Sequence, residues 1–537
     1  MSGAMKKSFL KVNLAVAGLL VFSGSLFASA AATQAVPQLF TVEPDQAGTT
    51  LQRQATDYLA QLHSDPANAE ITLVKLDPTL TDADMRTLAV SLPDGKTARF
   101  DLRDFTTLAP GIDAWVGYKA SAWKQTGSTS AAEIGHDPLY YLSLAREGDK
   151  VVGDVVIDGQ PYRIEPVGAG QHALIKRDQA QLPPEAEPLV APETDLANDR
   201  VSVIAPSTHS TIRVLFLTTN QRRERSPNYK VELAQALNNA NQYMKNSDVQ
   251  ITYQLAGFYD GDYDETDRTY NQQLGDIRTA KPFSDEVLRV REHLRADMVS
   301  MYSTASAYCG MAWLNANQSN THSVISCLGS LGHELGHNLG AMHGWPEDGN
   351  RQPPYMFGYR YTEGTPRFST QMSYGCSPAC PRIPYHSNPR LTYQGIPLGT
   401  AQNHDAARRF NERRTIIEHF YPPAPLQVTV FDDAGMQGNS CAFEIPPGQA
   451  ITSIEQACGA SWKYKVWSAR VNHIVPGTQM QLGNAFAWHT YKSETYGGDF
   501  DIPNFSRAAQ EVPEGMLHEP HPNDLNRKIE HVRTYGN

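Results

Sequence analysis

Between residues 210 and 420 the spacing of apolar positions switches repeatedly between two periods. Ile212-Arg213-Val214-Leu215-Phe216-Leu217 is an almost unbroken apolar run and predicts a strand buried on both faces. Leu233, Leu237, Ala240 and Met244 then recur at helical spacing. Residues 249–255 read as a second strand. Ser284 is placed to cap a helix running through Leu288 and Leu294, and residues 297–302 make a further strand. Leu328, Leu331, Leu335 and Leu339 form another helical stripe, and residues 406–420 read as a closing helix. Strands alternating with helices predict an α/β unit.

The flanks have a different texture. Residues 31–200 mix short apolar runs with turns and are expected to be α+β; within them, 153–166 reads as two strands around an Asp158-Gly159 turn. From 182 to 200 the composition shifts to Pro, Glu, Ala and Asp, which predicts a solvated linker open to cleavage. Pro422-Pro423-Ala424-Pro425 is a stiff spacer, and residues 426–537 behind it are β-rich. At the N-terminus Lys6, Lys7 and Lys11 precede a mostly apolar stretch and the A-x-A site Ala28-Ser29-Ala30, the pattern of a secretory signal peptide. Its apolar run is too short and interrupted for an anchor, so no stable membrane insertion is expected. The 537 residues divide on this reading into a signal peptide 1–30, an N-terminal region with its linker 31–200, an α/β unit 201–421 and a β-rich C-terminal domain 426–537.

The formal net charge of −11 speaks against nucleic acid as a partner. Six cysteines in an exported chain favour disulfides, and sequence neighbours pair as Cys309–Cys327, Cys376–Cys380 and Cys441–Cys458. A thiolate metal site is the alternative. Asp260-Gly261-Asp262-Tyr263-Asp264-Glu265 is an acidic loop in which calcium is weakly supported, because Glu265 stands where an EF-hand needs glycine.

The chemistry concentrates in His333-Glu334-Leu335-Gly336-His337-Asn338-Leu339-Gly340-Ala341-Met342-His343, which fits HExxHxxGxxH. Residues four apart share a helix face, so His333 and His337 can present two imidazoles to one metal ion. Gly340 can take the left-handed conformation that ends a helix, after which His343 supplies a third nitrogen. Three histidines leave a position open, as in catalytic zinc sites, and Glu334 stands where a general base is needed.

This motif resembles that of the metzincins, a clan of zinc endopeptidases. Phe368-Ser369-Thr370-Gln371-Met372-Ser373-Tyr374 resembles their Met-turn, with Met372 beneath the metal and Tyr374 near the oxyanion. Asn338-Leu339-Gly340-Ala341 is similar to the reprolysin branch, although Gly344 stands where that branch has Asp and Tyr374 is not usual there. Bacterial secreted endopeptidases of reprolysin-like type, among them the peptidyl-Asp metalloendopeptidases, combine these features. The resemblance implies a mixed twisted sheet over a zinc helix in residues 210–421, one Zn²⁺, and protein or peptide substrates. It also implies that residues 31–200 are a propeptide with its linker and residues 201–421 the catalytic domain, although no cysteine precedes Cys309 to hold the zinc in a latent form. Residues 431–438 and 468–482 resemble a βγ-crystallin Greek key, with Trp462, Trp467 and Trp488 either in the core or as a platform for a glycan or surface target. The expected function is secreted zinc-dependent endopeptidase. The alternatives are a glycoprotein-directed protease with a glycan-binding tail, and a non-catalytic adhesin stabilised by metal.

Overall fold

The computed structural model describes residues 36–42, 56–190 and 207–535, apart from 110, 128–129, 169, 346, 348–350, 423–424, 446–451, 475–477, 494–497, 507 and 509. The expected signal peptide and residues 191–206 lie outside the described residues.

The N-terminal part is a nine-stranded antiparallel sheet with short helices beside it, more β-rich than the α+β expectation for residues 31–200. Its strands alternate apolar and polar positions, as Thr87–Ser91 does, and that period of two turns one face into a common core. Leu88, Phe100, Trp115 and Leu142 fill this core. Its two edges nearly meet: Leu39 N donates to Ala89 O and Ala89 N to Pro37 O, each at 2.9 Å, so the sheet curls into an almost closed barrel. Asp158 and Gly159 form the expected turn, with φ of 56° and 75°.

The α/β unit has a six-stranded sheet. Strand β1 (Ser210–Thr218) lies between β2 (Ile251–Tyr259) and β3 (Met298–Tyr302), and all three run parallel. β3 pairs in parallel with β5 (His322–Ile325), and β4 (Gly310–Leu314) pairs antiparallel with β5. Helix α1 (Tyr229–Asn246) follows β1, and α2 (Tyr270–Thr279) and α3 (Phe283–His293) follow β2. Helix α4 (Leu331–Asn338) carries the metal motif, and α5 (Ala406–Ile417) closes the unit. β1 is buried along almost its whole length, which explains its unbroken apolar run. Ser284 does not cap α3. Pro282 takes the cap position and Ser284 lies inside the first turn, because proline's fixed φ suits a helix start.

A short strand at Leu189–Val190 joins the sheet beyond β4, with Leu189 opposite Trp313 and Val190 opposite Leu314 in parallel register. This departs from the solvated linker expected for residues 182–200. Ala186 is buried, and backbone groups that would otherwise bond water bond β4 instead.

The C-terminal part is all β, a four-stranded and a five-stranded antiparallel sheet. Val428, Val471, Leu482, Tyr491 and Phe505 pack between them. Trp462, Trp467 and Trp488 are half-buried, with Arg527 over Trp467 and Arg533 over Trp488 at 5.2 and 3.7 Å from the ring centres. Disulfides join Cys309 to Cys327, Cys376 to Cys380 and Cys441 to Cys458. Among the described residues no helix is long and apolar enough to cross a membrane.

Candidate metal centre and substrate cleft

Helix α4 is buried on every side. Leu331, Leu335 and Leu339 enter the core shared with α1 and α5, each worth about 1.5–3 kcal/mol when removed from water. Gly336 faces Met372 so closely that a Cβ there would lie 2.4 Å from the methionine sulfur. The tight turn carrying Met372 therefore packs directly under the helix. At the C-terminal end of α4, Asn315 N and Ala316 N donate to the carbonyls of His337 and Asn338 at 2.9 and 3.0 Å. Asn338 Nδ2 donates to Trp313 O at 2.8 Å, locking the helix to β4. Gly340 has φ of 91°, and the chain turns there to bring His343 back.

The three imidazoles meet at their Nε2 atoms. His343 Nε2 is 2.9 Å from that of His333 and 3.0 Å from that of His337. His333 Nδ1 donates to Gln371 O at 2.9 Å and His337 Nδ1 to Ala341 O at 2.8 Å. Those bonds fix the tautomer and leave the inward nitrogens with lone pairs. Burial, and then the neighbouring imidazoles, pushes His333 and His337 well below the usual histidine range and keeps them neutral. Three imidazoles converging on one point suit a cation, and an all-imidazole donor set suits zinc.

Glu334 lies beside this cluster. It is fully buried, and neither carboxylate oxygen has a hydrogen-bond partner. Burial, and secondly Glu185, raises its pKa well above the ordinary value. Two orphaned buried oxygens next to the imidazoles are what a site prepared for a cation and a water would leave. Tyr374 OH is 3.0 Å from His343 Nδ1 and also donates to Glu187. The acidic loop is differently used. Asp260 accepts from Thr218 and Tyr229, Asp262 from Asn220, and Glu265 from the backbone of Thr304, so its carboxylates are spent on separate protein donors.

Pattern reading missed four participants. Gly310 opens β4 directly against Glu334. Ser330, Arg382 and Glu185 converge from α4's start, the loop after the Met-turn and the segment before Leu189. In a Pro- and Glu-rich stretch no periodicity marks Glu185, and only the pairing with β4 places it.

A zinc-dependent metallopeptidase is the class that this sheet, helix and histidine cluster define, and the profile described as metallo-peptidase family M12B, reprolysin-like, matches residues 231–344. The peptidyl-Asp metalloendopeptidase of Xanthomonas campestris pv. campestris is 32% identical over 364 residues, 65% of this chain and 85% of the relative. That of Stenotrophomonas maltophilia strain K279a is 30% identical over 67% of this chain and 91% of its own. The chain belongs to the peptidyl-Asp metalloendopeptidase family: it is a zinc metalloendopeptidase, zinc being held by His333, His337 and His343. Among solved structures, metalloproteinase-II from Bacteroides fragilis aligns over 56% of this chain and 87% of its own, at 9% identity and a TM-score of 0.32.

Proposed function

We propose that this chain is an exported precursor whose processed form cuts extracellular proteins at aspartyl residues, with Glu334 moving the proton and Tyr374 steadying the carbonyl oxygen. The orphaned, buried carboxylate of Glu334 beside three converging imidazoles carries the catalytic reading. Zinc bound there supplies a Lewis acid and lowers the pKa of water to about 7. Glu334 takes the proton from the attacking water and returns it to the leaving amine. Its desolvated setting favours the proton-bearing form and so the uptake step. Tyr374, freed from Glu187, would donate its hydroxyl hydrogen bond to the oxygen on which charge develops. Tyr374→Phe is expected to lower kcat about 10²-fold with little change in KM. Steady-state kinetics on a short peptide reads this, and a raised KM at constant kcat would make Tyr374 a binding residue.

The A-x-A pattern at Ala28-Ser29-Ala30 supports secretion, and the pairing of residues 184–190 with β4 supports latency. Residues 184–190 run along β4 over the metal centre, where a substrate has to lie, so cutting the chain between them and Thr211 would release the cleft. This gives a block that needs no cysteine. The aspartyl preference is supported by the printed activity of the relatives. The C-terminal sheets are read as a Greek-key, βγ-crystallin-like module that holds the enzyme on a glycan or surface target. Phe486, 93% exposed, and Tyr464 offer that module apolar surface. Mass-spectrometric mapping of cuts in a denatured protein, with and without chelator, tests the reading, and N-terminal sequencing of the active species reads the maturation point. Cuts should vanish with chelator and cluster at aspartate; cuts indifferent to acidic residues would end the aspartyl reading.

A further inference from the structure

Pro184 O accepts from Cys309 N at 2.9 Å, and Ala186 N donates to Gly310 O at 3.2 Å, so residues 184–186 are held as an added strand at the start of β4. Between these two bonds the Glu185 side chain turns inward, only 12% exposed. Its Oε1 accepts from Ser330 Oγ at 2.8 Å and lies 3.7 Å from Arg382 Nη1. Its Oε2 is buried without a partner. The carboxylate groups within 4.8 Å with His333 and Glu334, so it sits beside the reacting position on the His333 side.

Arg382 is built to stay there. Its Nη2 donates to Ser373 O at 3.2 Å, which ties the guanidinium to the Met-turn next to Met372. Ser330 is the residue before α4, 2% exposed, and its hydroxyl makes no capping bond to the helix. A buried hydroxyl and a tethered guanidinium thus meet at the same carboxylate oxygen. Without a carboxylate between them, both would lose a partner in a desolvated site, which is how a pocket rejects a neutral isostere.

We propose that Arg382 and Ser330 form the subsite that reads an acidic side chain beside the scissile bond, and that Glu185 fills it in the precursor as a substrate-like plug. This rests on the aspartyl preference proposed above and names the residues responsible for it. The chain direction fits a plug. The segment runs parallel to β4, so it offers the right side chain on a backbone whose direction is set by pairing with β4 and not by the cleavage reaction.

The test uses the processed enzyme, wild type, Arg382→Gln, Arg382→Lys and Ser330→Ala, with peptides differing only in Asp, Glu, Asn or Ala at the position flanking the cut. The readout is the ratio of kcat/KM for the acid over its amide. In the wild type this ratio should be high. Arg382→Gln should lower it about ten- to hundredfold, Ser330→Ala several-fold, and Arg382→Lys should keep most of it. A synthetic peptide covering residues 182–190 should inhibit the wild type, and its Glu185→Gln form should be about tenfold weaker. Against Arg382→Gln enzyme that difference should disappear, since the two losses are one interaction. A wild-type ratio near one is a failure of the aspartyl reading. A high wild-type ratio that persists in Arg382→Gln, together with an undiminished Glu185→Gln penalty, overturns this assignment. Should Arg382→Gln not fold, as judged by circular dichroism and zinc content, an unchanged ratio in Ser330→Ala overturns it equally.

Discussion

Glu334→Ala is expected to lower kcat/KM for a peptide roughly 10²–10⁴-fold while the protein stays folded and keeps its zinc. The carboxylate is not one of the three converging imidazoles, and the Nδ1 atoms of His333 and His337 are held by Gln371 and Ala341 independently of it. The substitution also removes a buried carboxylate with no hydrogen-bond partner, so stability should hold or rise. Metal analysis, a thermal unfolding curve and peptide hydrolysis measure the three consequences separately. Near-normal hydrolysis by a variant that has kept its zinc would remove Glu334 from the proton path. Loss of zinc would mean that the carboxylate shapes the metal site instead.

Gly310→Ala is expected to come next in size, although no motif points to it. A Cβ at Gly310 would lie 2.5 Å from Glu334 Oε1, 2.7 Å from its Cγ and 2.8 Å from its Cδ. Glu334 is fully buried, so the side chain has to shift within a packed site. A displacement on the order of 1 Å in a catalytic group costs about 10²-fold in rate. The fall should appear in kcat with zinc content unchanged. Gly329→Ala is the matched control, since a Cβ there meets nothing within 4 Å. Equal activity in the two variants would show that Glu334 has room to move and that its position is not set by β4.

Much of the metal centre was readable beforehand because its rules are local. The spacing of His333 and His337 is one helical turn, Gly340 ends that helix, and His343 follows by the geometry of the turn. The apolar run of β1 and the stripe along α1 were equally plain, because burial against one sheet imposes a period on the chain. Boundaries were less legible. Pro282 stands at the start of α3 in place of Ser284, since both residues suit a helix entrance and proline's fixed φ already matches the helix. The N-terminal region proved to be an almost closed barrel, a result of edge pairing between residues 37–39 and Ala89 that no local pattern encodes.

By itself the sequence determined the three zinc-ligating histidines and the alternation of strand and helix, because each is set by neighbours along the chain. Tertiary structure alone decided what surrounds them. It brought Glu185 from an acidic stretch to Ser330 and Arg382, residues 145 and 197 positions further along, and set Gly310 against Glu334. Such meetings depend on which edges pair and which loops pack together. A single charged residue in a proline-rich segment has no periodicity to report them, so only the folded sheet and its burial of a carboxylate make them visible.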